Sequence, residues 1–349
     1  EIARRQSANT GLTRPEMSVL LAYSKLTLYA DILETSLPDD PYYDLWLSEY
    51  FPPQLREKYA SYIAGHRLRR EIITTIIVNQ VVNRAGPTFV AQMMEEQGCQ
   101  VQDVARAFAL VCAVFDLEKL WSGIEALDNK VSTDIQGRMI DVTQKLARRA
   151  TLWCLRHLSR DDDIAAEVKR LSADMRKLEK GLEDLLSEEG RTRFVARAEQ
   201  LVSEGVPEPL ARRVAALGPL RSSLDVVQAG KTVGRPITEV GEVYFAVGAD
   251  LNIDWLRGAA ETIEPDNNWE RLAVTAIIDD LYGQQRAITT SVFGGANGHK
   301  GRDAFKHWAG NNRITIKRTG DLIKEFKSTG TLDIAKLAFA NRQFRSMIT

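Results

Sequence analysis

An all-α chain, folded as a multi-helix bundle, is what the 349-residue sequence predicts, and three features predict it. Leu12, Thr13, Pro15, Glu16 and Met17 form a complete helix-start signal. A cap threonine accepts from the Glu16 amide, the glutamate reaches back to the cap amide, Leu12 packs on Met17, and proline suits the first turn. Apolar residues recur three or four apart over most of the chain, which is the spacing of one helical face. Proline and glycine recur between those stretches and punctuate them.

In order, the first helix runs from Thr13 to about Thr35. Met17, Leu20, Leu21 and Leu28 line one face, while Val19, Tyr23, Leu26, Ala30 and Leu33 line another. Two apolar faces predict burial between partners. Pro38, Asp39, Asp40 and Pro41 break the helix, since proline restricts its predecessor and donates no backbone hydrogen bond. A short helix to Phe51 follows, and Pro52 and Pro53 open another over residues 54–64, stopping near Gly65. Ile72, Ile73, Thr74, Thr75, Ile76, Ile77 and Val78 favour strand by propensity, but Arg69, Ile73, Ile76, Gln80 and Asn83 recur at helical spacing, so helix is predicted. Gly86 with Pro87, and then Gly98, give stops followed by new starts.

Helices over 101–115 and 117–127 come next, then one long amphipathic helix over 132–158, ended by Asp161, Asp162 and Asp163. Ile164, Val168, Leu171, Met175, Leu178, Leu182 and Leu185 form a seam too short for a sustained coiled coil, so an antiparallel hairpin with the preceding long helix is expected. Punctuation from Pro207 to Pro236 then cuts shorter helices. A terminal unit carries a helix over 269–290, a glycine-rich loop from Gly294 to Gly301, and helices near Asp303 and Asp333. The organisation predicted is a helical domain over 1–130, a long hairpin with connecting helices over 131–230, and a C-terminal helical subdomain over 231–349.

Charge excludes some functions. With 46 Lys and Arg against 47 Asp and Glu, no overall positive field concentrates nucleic acid or an anionic membrane. The most apolar run, residues 72–82, is interrupted by polar residues and too short to span a bilayer. Cys99, Cys112 and Cys154 form no CxxC pair, which suggests neither disulfides nor a zinc site and fits a reducing cytoplasm. The chain opens at Glu1 without a signal peptide pattern, so a piece of a longer cytoplasmic protein is expected.

Candidate chemistry is sparse. Gly294, Gly295, Gly298, Lys300 and Gly301 resemble a phosphate loop, but Lys300 is followed by glycine and the preceding stretch is helical, so an inter-helix loop is the plainer reading. His66, His157, His299 and His307 lack metal-ligand spacing, and no GxSxG elbow presents a serine. Asp161, Asp162 and Asp163 read as caps. Asp279 and Asp280 project about 100° apart on a helix and read as solvated or salt-bridged. His66, Arg67, Arg69 and Arg70 make the densest basic cluster, either an anion clamp or a set of salt bridges. Thr75, Asn79 and Asn83 form a polar stripe on an otherwise apolar helix.

Residues 11–30, reading GLTRPEMSVLLAYSKLTLYA, resemble the region after the nucleotide-binding domain in the large bacterial NAD-specific glutamate dehydrogenases. HRLRREI from His66, VNRAG from Val82, ALDN from Ala126 and DDLYGQQRAIT from Asp279 resemble the same family in the same order. The resemblance implies a C-terminal fragment that lacks the Rossmann domain. The catalytic lysine and aspartate and the GxGxxG turn belong to upstream domains, so no catalytic, cofactor-binding or metal residue carries over onto this sequence. NAD belongs to the parent enzyme, and this region is expected to need no cofactor. Its implied partners are the upstream catalytic domain and further copies in a homo-oligomer, with no nucleic acid and no membrane. Arg67, Arg69, Arg70, Thr75, Asn79 and Asn83 are the candidate interface. The competing expectation is a regulatory module that binds a metabolite at the Gly294 loop.

Overall fold

The computed structural model describes residues 2–8, 10–330 and 332–348. Among these residues there are twenty α-helices, two short 3-10 turns and no strand, so the all-α expectation holds. The chain forms two compact units, each drawn from two stretches: Glu1–Lys119 with Thr143–Lys169, and Leu120–Val142 with Arg170–Thr349.

In the first unit, the helix Arg14–Leu33 starts as its sequence spells out. The Glu16 carboxylate accepts from the backbone amide and from the hydroxyl of Thr13, both at 2.7 Å. Bonds to the ionised form lower a carboxyl pKa. The Thr13 amide bond leads that effect, with Arg5 assisting, and Glu16 falls to about 2.

The helix Arg69–Ala85 settles the contest between propensity and spacing. Ile73, Thr74, Ile77, Val78, Val81 and Val82 are buried at helical intervals against the helices Arg14–Leu33 and Val101–Val114. Tertiary packing of that face outweighs the mild helix penalty of β-branched residues. The helix ends at Gly86, with φ 98°, and the helix Phe89–Gln97 ends at Gly98 in the left-handed region. Residues 54–64 differ from expectation: they form two short helices, Pro53–Arg56 and Ala60–Ala64. Only Ile63 in that stretch is buried, so no continuous apolar face holds one longer helix together.

The same unit is completed by Thr143–Lys169, where Leu146, Ala147, Ala150 and Trp153 are buried. Arg148 reaches both carboxylate oxygens of Glu96, at 2.7 and 2.8 Å, and the Gln144 amide donates to the Arg84 carbonyl near a helix end. The Ala166 amide donates to Asp163, which caps the helix Ile164–Leu185 as predicted, whereas Asp162 accepts from the Ser159 amide in the turn before that helix.

In the second unit, Leu171, Met175, Leu178, Leu182 and Leu185 of the seam are buried. The helices Ser223–Val233, Ile237–Asp250 and Asn268–Gly294 pack together, and the last carries core residues Leu281, Ile288 and Val292. It extends beyond the expected 269–290 and is capped by Asn267, which accepts from the Glu270 amide at 3.0 Å. Buried amides tie it to its neighbours: Gln285 donates to the Tyr244 carbonyl at 2.7 Å, and Gln284 donates to Asn341 at 2.6 Å. A helix over Arg313–Thr329 separates the two terminal helices read from the sequence.

Candidate functional site

The basic cluster and the polar stripe both lie on the helix Arg69–Ala85 and the turn before it. Arg69 donates to the Pro38 carbonyl at 2.9 Å and to the Asp44 carboxylate at 2.6 Å. Arg70 donates to the carbonyls of Leu33, at 2.7 Å, and Thr35, at 2.9 Å, and pairs with Asp39. A guanidinium fork is suited to this task, because helix ends leave carbonyls without intrahelical partners. Two arginines thus fasten the turn that follows the helix Arg14–Leu33. Arg67 is exposed.

The stripe divides in the same way. Asn79 accepts from the Lys25 ammonium at 2.8 Å and links two helices of the unit. Thr75 is exposed and donates to the Glu71 carbonyl of its own helix, and Asn83 is exposed. Of the six candidate residues, Arg69, Arg70 and Asn79 face partners within the chain, while Arg67, Thr75 and Asn83 face outward.

The glycine-rich loop meets carboxylates. The Gly301 amide lies 3.4 Å from a Glu239 oxygen, Glu242 fills the space a Cβ at Gly301 would need, and Arg302 pairs with Glu242 at 3.5 Å. Two acids at the start of the helix Gly301–Asn311 take the place a phosphate would need. The inter-helix loop reading is therefore the better one.

Other candidates have structural partners. His66 accepts from the Leu68 amide at 3.1 Å, and the His299 and His307 rings stack 4.9 Å apart. Asp280 accepts from Asn341 and Arg345, both at 3.1 Å, whereas Asp279 is buried rather than solvated. All three cysteines are buried, and burial pushes the Cys112 thiol up. Among the described residues no three His, Cys, Asp or Glu side chains gather as a metal site, and no helix is long and apolar enough to cross a membrane.

One cavity, about 290 Å³, was not anticipated. It lies in the second unit, and Arg193, Arg197, Arg221 and Arg257 line it together with Phe194 and Tyr282. Arg257 is buried, sits 4.0 Å over the Tyr282 ring and pairs with Asp254. Arg193 pairs with Glu189 at 3.0 Å, and Arg221 pairs with Glu261. These arginines are spread over more than 60 residues in three separate elements, so no local motif marks them.

The family described as glutamate dehydrogenase, C-terminal, matches residues 9–346. The NAD-specific glutamate dehydrogenase of Pseudomonas aeruginosa is 37% identical over 348 residues, covering 99% of this chain and 22% of that protein. Those of Halomonas elongata and Mycobacterium tuberculosis are 35% and 32% identical over 297 and 348 residues, covering 84% and 99% of this chain and 18% and 21% of those proteins. The chain therefore spans about a fifth of the length of the curated relatives it matches.

Proposed function

This chain belongs to the glutamate dehydrogenase C-terminal family, and from that premise we propose that it is the non-catalytic helical end of a cytoplasmic NAD-dependent enzyme. The parent reaction is conversion of L-glutamate, NAD and water to 2-oxoglutarate, ammonium and NADH. The region braces the upstream catalytic domain and supports assembly of a homo-oligomer, and NAD binds outside it.

The observation that carries the reading is the alignment: nearly the whole chain matches one limited share of much longer NAD-specific dehydrogenases. The internal clasps suit a brace. Arg69, Arg70 and Asn79 hold their helix to neighbouring segments, so Arg67, Thr75 and Asn83 are offered outward from a fixed frame. Deleting this region from the full-length enzyme tests the role. A smaller assembly and a reduced rate of glutamate oxidation are expected. Unchanged mass and activity would remove the bracing role.

A second reading, a regulatory module for a small metabolite, draws support from the arginine-lined cavity rather than from the Gly294 loop. Guanidinium groups beside aromatic rings suit an organic anion. Calorimetric titration of the enzyme with amino acids and nucleotides separates the readings, because heat of binding that disappears in an Arg257→Ala variant would favour regulation.

A further inference from the structure

The helix Arg14–Leu33 is apolar on two faces, and only part of one is covered. Leu28 and Ile32, in its second half, are buried within their unit. Met17, Val19, Leu20, Leu21, Tyr23 and Leu26, in its first part, are all exposed, with Val19 at 55%, Tyr23 at 65% and Leu26 at 64%. Val19, Tyr23, Leu26 and Ala30 follow one another at spacings of four, three and four, which makes a continuous stripe opposite the buried pair. From Met17 to Tyr23 the helix carries no charged residue. A helix that is apolar nearly all round belongs in an interior, and a contiguous exposed apolar patch marks a contact surface.

We propose that this stripe is the docking face for the part of the same polypeptide that precedes it, so that the helix is the joint between the C-terminal region and the rest of the enzyme. The inference rests on the family reading given above. Three observations select that occupant. The matched family region is a C-terminal one that begins at residue 9, five positions before the helix starts at Arg14. About four-fifths of each similar dehydrogenase lies outside the matched share. No large apolar residue from Met17 to Tyr23, the stretch nearest that junction, is buried, whereas Leu28 and Ile32 further along are seated in the unit. Among the described residues, twelve of the sixteen exposed large apolar side chains lie between Met17 and Leu68, so apolar exposure is concentrated at this end.

The occupant must present an uncharged, apolar groove. Lys25, the one charge between Glu16 and Asp31, points instead to Asn79 and stays within the unit. Arg69 and Arg70, by fastening the turn after the helix, set its angle without touching the exposed stripe.

Thiol labelling of the full-length enzyme tests the assignment. In one variant Leu26→Cys places a thiol on the stripe. In a second, Lys177→Cys places one in the middle of the helix Ile164–Leu185, at a side chain that is 65% exposed. A charged maleimide is applied to each, and labelling is read peptide by peptide by mass spectrometry. Both positions lie inside helices, away from an N-terminal turn that would lower a thiol pKa, so at similar exposure access sets the difference in labelling rate. Docking predicts labelling at position 26 at least about tenfold slower than at 177, with the difference kept when the enzyme is diluted to monomers. Equal rates in an enzyme that still oxidises glutamate would overturn the docking face while leaving the family reading intact. Protection lost on dilution would assign the stripe to a second copy of the chain and overturn the proposed occupant. A full-length protein with no glutamate-dependent activity would instead count against the family reading. Val19→Cys, at a second position of the stripe, supplies the same comparison if Leu26→Cys fails to fold.

Discussion

Replacing Arg70 by alanine removes three contacts at once. Its guanidinium donates to the Leu33 carbonyl at 2.7 Å and the Thr35 carbonyl at 2.9 Å, and it pairs with Asp39. A hydrogen bond from a charged donor contributes about 1.5–3 kcal/mol when well shielded. Arg70 and Asp39 have side chains 39% and 48% exposed, so the ion pair adds under about 1 kcal/mol and water replaces part of each carbonyl bond. The expected loss is about 2–3 kcal/mol, read as a shift of the urea unfolding midpoint with an unchanged slope. Arg70→Lys keeps the charge but not the fork, and about half of that loss is expected. Arg67→Ala, at an exposed position, is expected to stay within about 0.5 kcal/mol of the parent. An Arg70→Ala protein as stable as the parent, beside a destabilised Arg67→Ala, would refute the assignment of Arg70 as an internal clasp.

Further expectations concern packing and protonation. A Cβ at Gly248 would lie 2.7 and 2.8 Å from the Asp254 carboxylate oxygens and would also meet buried Gln285, so Gly248→Ala is expected to cost about 1–3 kcal/mol in denaturant unfolding. Leu281 is fully buried in the core of the second unit, and Leu281→Ala is expected to cost about 2–5 kcal/mol by the same measurement. Glu16 has a folded pKa lowered from 4.5 to about 2, so its share of stability is complete above pH 4.5 and is lost as the pH falls towards 2. A carboxyl titration followed by NMR is expected to give a midpoint near 2 for Glu16, and Thr13→Ala should move it upward.

Much of the fold is legible because local signals and packing agree. The Thr13 and Glu16 box, the left-handed glycine at Gly98 and the Asp163 cap all act where the residue types place them. At Ile72 to Val82 propensity and spacing conflict, and spacing prevails because the side chains at that spacing are the ones buried. Residues 54–64 were legible only in part, since a proline start and a glycine stop say nothing about whether a buried face connects them. The two compact units each return to an earlier part of the chain, and punctuation read consecutively has no means of showing a return. For the candidate interface, sequence identifies Arg69, Arg70 and Asn79 as notable but not the carbonyls and ammonium they serve, which lie 31 to 54 residues away. The cavity arginines are less visible still, because they come from two separate stretches of ordinary amphipathic helix and a turn. The stripe on the first long helix is legible as an apolar face, but the sequence predicts its burial, and only the structure shows Val19, Tyr23 and Leu26 exposed.

The most direct measurement is glutamate-dependent NADH formation by the full-length protein and, separately, by the 349-residue chain. Turnover by the full-length protein and none by the chain is the predicted result. Reduction of NAD by the chain alone would contradict the assignment of the chemistry to the preceding domains.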